Sequence, residues 1–139
     1  MTERMPAIAL VAVPGRRAQT IELAVEIEQR GFSGIYGPSF GDAMGLCLSI
    51  AHATSTIEFG TSIQPIYLQH PVALATTASY LHEIAGGRFR LGVGVTHGPV
   101  TKQLQVETGK PLSDVRNYVS TMRDAAERMG GLTNSGSAT

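Results

Sequence analysis

The stretch from Ser49 to Pro99 constrains this chain most: two glycine-punctuated apolar strands, over 57–63 and 89–95, flank one amphipathic helix over 71–84. Strands joined through a helix run parallel, because a crossover of that length returns the chain to the same end of the sheet. The polar residues Ser62, Gln64, Thr96 and His97 fall at or just past the carboxyl ends of these strands. That edge is where α/β folds bind ligands.

The same alternation extends both ways. Residues 7–13 form a continuous apolar run ended by Pro14 and Gly15, the pattern of a strand buried on both faces. A helix opens at Thr20 and buries Ile21, Ala24, Val25 and Ile27, leaves Glu22, Glu26, Glu28 and Arg30 in solvent, and stops at Gly31. A short strand over 32–36 and an apolar helix over 42–53 follow. After the fourth strand, Val115, Tyr118, Val119, Met122, Ala125 and Met129 recur at helical spacing behind a cap at Ser113 or Asp114.

Four βα units in succession predict an α/β fold, half of a (β/α)8 barrel, since a complete one takes about 250 residues. The expected layout is one domain over 1–129 and a flexible tail over 130–139. Its inner face is expected to carry Ile35, Phe59 or Ile63, and Leu91 or Val93 according to register. A homodimer or a complementary half-barrel chain would cover that apolar surface.

The 11 basic and 11 acidic residues balance with no block of one sign, which argues against nucleic acid and anionic lipid as partners and for a small-molecule substrate. The single cysteine, Cys47, excludes an internal disulfide and a cysteine-rich zinc cluster and fits a cytoplasmic setting. No metal site is expected. The apolar run over 8–13 falls well short of the roughly 20 residues a membrane span needs, and no signal peptide is read.

Two nucleotide motifs fail on inspection. Gly92-x-Gly94 meets His97 where a third glycine belongs, and Pro99 is expected to bar an immediate helix start. Gly109-Lys110 is preceded by Leu104 and followed by Pro111, so no phosphate loop forms. Gly92 and Gly94 fit either close strand packing or close approach of a ligand. His52 and His82 sit inside helices, whereas His70 and His97 can reach the carboxyl-end face and move a proton. The acidic residues offer no close pair at the strand ends, and no serine sits in a G-x-S-x-G elbow.

The block TSTIEFGTSIQPIYLQHPVALATTASYLHEIAGGRFRLGVGV, together with Ala24-x-x-Ile27-Glu28-x-x-Gly31-Phe32, resembles the bacterial luciferase-like monooxygenase family, particularly its coenzyme F420-dependent branch. The resemblance implies a (β/α)8 barrel that holds FMN or F420 at the carboxyl ends of its strands. In F420-using relatives a non-proline cis peptide in the third strand supports the deazaflavin, which maps onto Ser62 and Ile63 here. The ring would then lie near Gln64, Gly94, Thr96 and His97, with His97 or His70 assisting proton movement. Many relatives carry a histidine or acid after the second strand, where this chain has Pro38, Ser39 and Phe40. The implied function is oxidation or reduction of a small organic substrate; the competing one is a non-catalytic or truncated half barrel that serves as an assembly partner.

Overall fold

The computed structural model describes residues 3–133. They form two compact units: the stretch up to Gln64 with Leu81–Val93, and Pro65–Tyr80 with the stretch from Gly94 onward.

The first unit holds β1 (Met5–Ala9), α1 (Arg17–Gln29), β2 (Phe32–Gly37), α2 (Ala43–Ala53) and β3 (Glu58–Thr61). The chain then passes through β4 (Gln64–Pro65), a 3-10 turn (Ile66–Leu68) and α3 (Pro71–Ile84) to β5 (Phe89–Arg90) and β6 (Val93–Gly94). β1, β2, β3 and β5 pair in that order, all parallel, which is the half barrel the alternating pattern predicts. Ile8 lies beside Ile35, Ile35 beside Phe59, and Phe59 beside Phe89.

Alternation along the strands separates the two faces of this sheet. Ile35 and Phe59 are both 0% exposed, on the face packed by α1 and α2. The Phe59 and Phe89 rings lie 5.8 Å apart. The Arg88 guanidinium sits 5.2 Å from the Phe59 ring centroid and donates to the carbonyls of Ala51, Thr54 and Ile57, which ties the end of α2 to the start of β3.

The opposite face carries Ala7, Ala9, Gly34, Tyr36, Glu58, Gly60 and Arg90. A Cβ on Gly34 would stand 3.0 Å from the Tyr36 ring and 3.6 Å from the Ala7 methyl, which puts these three on one side. Arg90 Nη2 meets Glu58 Oε1 at 3.2 Å on the same side. The expected apolar inner face is therefore corrected at Ile35 and Phe59, while Leu91 does line a pocket on the open side. Ile35 and Phe59 point into the helix layer, where water is excluded, and the open face is built of methyls, glycines, one tyrosine and an ion pair.

Other expectations shift as well. β1 is an edge strand, exposed except at half-buried Ile8, and the buried side chains of its apolar run are Leu10 and Ala12, beyond its end. α1 starts at Arg17, so Thr20 lies in its first turn, buried and donating its hydroxyl to the Arg16 carbonyl at 2.9 Å. Glu28 is no solvated face residue. Its carboxylate accepts N–H groups of Ser55, Thr56 and Ile57 at 3.0, 2.8 and 2.9 Å, fixing the turn into β3. Burial opposes its ionisation, but the hydrogen bonds from Thr56, Ile57 and Ser55 outweigh that and hold the carboxyl below its ordinary range.

In the second unit α4 (Gly98–Gln103) takes Pro99 into its first turn, against the expected bar, because a missing N–H is harmless there. α5 (Pro111–Thr133) starts ahead of the expected Ser113 or Asp114 cap. Asp114 instead accepts the Tyr67 hydroxyl at 2.6 Å, and the Tyr118 hydroxyl donates to the Gln69 carbonyl at 2.7 Å. α5 continues into the stretch expected as a tail; residues 134–139 of that stretch lie outside the described residues. Among the described residues no helix is long and apolar enough to cross a membrane, and no cluster of three metal-ligating side chains occurs.

Candidate functional site

On the open face of the first unit, at the carboxyl ends of β2 and β3, lies a pocket of about 540 Å³. Ala7 and Ala9 form one wall, Tyr36, Thr61 and Ser62 the middle, and Arg90 and Gly92 belong to the other side. Parallel strands expose their carboxyl ends here, and the small residues of β1 leave the space that larger side chains would fill.

The rim is shaped where the β3–β5 ladder stops. β3 ends at Thr61 and β5 at Arg90, both short of the expected 63 and 95. The Thr61 hydroxyl takes over from the backbone: it donates to the Gly92 carbonyl at 2.8 Å and accepts the Gly92 N–H at 2.9 Å. A Cβ on Gly92 would collide with the Thr61 carbonyl, so close strand packing accounts for that glycine. Gly60 is held the same way against the Arg90 carbonyl.

Ser62 extends the β2–β3 pairing through its N–H to the Gly37 carbonyl at 2.8 Å, and its side chain is exposed. The Ser62–Ile63 peptide is cis, at the position the resemblance singled out. Ile63 and Gln64 are half-buried, and the Gln64 N–H donates to the Gly92 carbonyl at 2.7 Å. These three expected residues are thus brought together with Thr61 and Gly92.

Gly94, Thr96, His97 and His70 belong to the second unit, and none of them lines this pocket. Gly94 ends β6 and Thr96 is half-buried. His97 is exposed at the start of α4, where its carbonyl accepts the Val100 N–H at 3.0 Å while its ring makes no capping bond. His70 precedes α3, and its Nδ1 accepts the Val72 N–H at 3.2 Å. That bond places the proton of the neutral ring on Nε2.

Sequence reading missed Tyr36, Thr61 and Arg90. Tyr36 and Arg90 follow from strand alternation once the covered face is known, since each neighbours a buried residue, Ile35 or Phe89. Thr61 gave no signal, because its work depends on a strand end visible only in three dimensions.

The family model described as luciferase-like monooxygenase matches residues 6–137. A Mycobacterium tuberculosis protein named "Putative coenzyme F420-dependent oxidoreductase" is 31% identical over 124 residues, 83% of this chain and 34% of its own length. A second, uncharacterized protein of that organism is 29% identical over 115 residues, covering 81% of this chain and 34% of its own length. The chain therefore spans about a third of the length of the curated relatives it matches. Among solved structures, the FMN complex of the oxygenating constituent of 3,6-diketocamphane monooxygenase from Pseudomonas putida superposes with a TM-score of 0.77 at 23% identity, over 91% of this chain and 41% of that one. The coenzyme F420-dependent tetrahydromethanopterin reductase of Methanopyrus kandleri gives 0.71 at 21% identity, over 87% and 40%. At such identities the structures establish the fold, and the family model, matching nearly the whole length, establishes descent: the chain belongs to the luciferase-like monooxygenase family.

Proposed function

We propose that this chain forms the cofactor-ring side of an oxidoreductase that uses F420 or FMN on a small organic substrate. The observation that carries the reading is the open-face pocket of small residues at the carboxyl ends of β2 and β3. The family membership supports it, as does the relative named for F420.

The residues present fit a flat ring system. Ala7 and Ala9 keep one wall low, Tyr36 offers an aromatic flank, Ser62 a free hydroxyl, and Arg90 a cation for an electron-rich edge. When bound, such a cofactor supplies the redox chemistry; the protein supplies orientation and electrostatics. Ser62, Ile63 and Gln64 would support the ring. His97 is the better proton carrier of the two histidines, because the Nδ1 of His70 is already engaged as a helix cap.

Separate calorimetric titrations with F420 and FMN test this. Saturable binding of one of them is expected, with Ala9→Phe, which fills the pocket from an exposed position, weakening it by about tenfold or more. Absence of binding by both at millimolar concentration, or indifference to Ala9→Phe, overturns the reading.

A further inference from the structure

The second unit holds a pocket of its own, about 250 Å³ in volume, which shares no lining residue with the open-face pocket and has no part in the cofactor reading. It lies where the 3-10 turn and the first residue of α3 meet the early turns of α5. Ile66, Tyr67 and Pro71 line it from one side, and Asp114, Tyr118 and Thr121 from the other. Sites for drug-sized ligands occupy about 300–1,000 Å³, so this one suits a smaller occupant.

Two hydrogen bonds join the walls. The Tyr67 hydroxyl donates to Asp114 Oδ2 at 2.6 Å, and the Tyr118 hydroxyl donates to the Gln69 carbonyl at 2.7 Å. Tyr118 is only 8% exposed, which leaves its ring little room to turn. Gly109 lies so close to the Asp114 carboxylate that a Cβ there would stand 2.6 Å from Oδ2. A site whose anion and rings are fixed before a ligand arrives loses little freedom on binding.

The charge of the lining selects the sign of the ligand. Asp114 supplies the negative charge, and among the described residues it makes no ion pair, although Lys110 and Arg116 are near it in sequence. A carboxylate beside two tyrosine rings favours a cation both by its charge and by the negative faces of the rings. Ile66 and Pro71 add apolar surface for alkyl groups. A primary ammonium brings three protons that need acceptors, yet Asp114 already accepts one from Tyr67, and both tyrosine hydroxyls have given theirs away. A quaternary ammonium has no proton to place.

We propose that this pocket binds a small quaternary ammonium ion, its charge held by Asp114 and its methyl groups packed on Tyr67, Tyr118, Ile66 and Pro71. The site is independent of the F420 or FMN reading and stands or falls without it.

Amide shift mapping of the isotopically labelled 139-residue chain during titration with choline chloride, at an ionic strength held constant with sodium chloride, tests this. Saturable shifts are expected at Tyr67, Asp114 and Tyr118, with half-saturation at millimolar choline and no shift at Tyr36 or Gly92 of the first unit. The neutral isostere of choline, in which a tert-butyl group replaces the trimethylammonium, should bind about tenfold or more weakly. Ethanolamine, a primary ammonium near neutral pH, should also bind more weakly. Asp114→Asn keeps an oxygen for the Tyr67 hydroxyl while removing the charge, and should weaken choline binding by about tenfold or more. Absence of saturable shifts at the three residues up to about 100 mM choline overturns the proposal. Equal binding of either analogue, or undiminished binding of choline by the folded variant, overturns it as well. Should the variant not fold, the two analogues on the native chain decide the matter.

Discussion

The two faces of the first unit's sheet divide the labour of the molecule. On the covered face Ile35, Phe59 and Phe89 are buried, the first two at 0% exposure, with Arg88 stacked on the Phe59 ring. On the open face, one residue along each strand, Ala7, Ala9, Tyr36 and Arg90 line a pocket and contribute little to the core. Adjacent residues thus serve stability and binding separately, because a strand sends successive side chains to opposite sides. The face that holds the fold together can stay fixed while the other varies.

The largest expected effect lies on the covered face. Phe59→Ala removes a fully buried ring and the cation–π partner of Arg88, and should cost about 3–5 kcal/mol in urea denaturation. Tyr36→Ala, across the same sheet, should cost well under half as much. Equal losses would erase the distinction between the faces.

Gly60→Ala probes a place on the open face where backbone packing, not ligand space, governs the residue. The added methyl meets the Arg90 carbonyl, so β3 and β5 must part, at about 1–3 kcal/mol. A neutral result would show that the ladder yields freely there.

Glu28→Gln sharpens the comparison from the helix side. It replaces a carboxylate that accepts three backbone N–H groups, and should cost about 1 kcal/mol near neutral pH. The folded-state carboxyl titrates below its ordinary value of 4.5, so its contribution is full above that value and is lost as pH falls through the lower, folded one. The difference between native chain and variant in acid denaturation should therefore shrink below pH 4.5. A difference that is constant with pH would show that charge plays no part.

The smallest effect is an absence of reaction. Cys47 is buried in α2, and burial, with the Asp42 charge adding to it, pushes its thiol up to about 12. Treatment of the folded protein with a thiol reagent at pH 8 should leave it unmodified until denaturant is added. Rapid labelling would mean that the covered face opens easily.

Much of this was legible in the sequence. The apolar runs and glycine stops yielded the parallel order, and α3 falls at its expected bounds because proline at its first position and a regular apolar stripe agree. The identity of the buried face was not legible, since alternation fixes which residues share a side but not which side the helices take. Glu28 reads as one more charge on an amphipathic helix, and its three N–H partners, supplied by residues 55–57, are local only in space. Ser62, Ile63 and Gln64 could be named because the motif placed them at a strand end. The role of Thr61 could not, because a hydroxyl replacing a ladder rung leaves no periodicity.

Amide shift mapping of the isotopically labelled chain during titration with F420, and separately with FMN, tests the central claim most directly. Shifts should concentrate at Tyr36, Thr61, Ser62 and Gly92 and spare Ile50 and Ala51 behind the sheet. Shifts confined to the helix layer, or none at all up to about 1 mM cofactor, where even binding of about −4 kcal/mol would register, would contradict it.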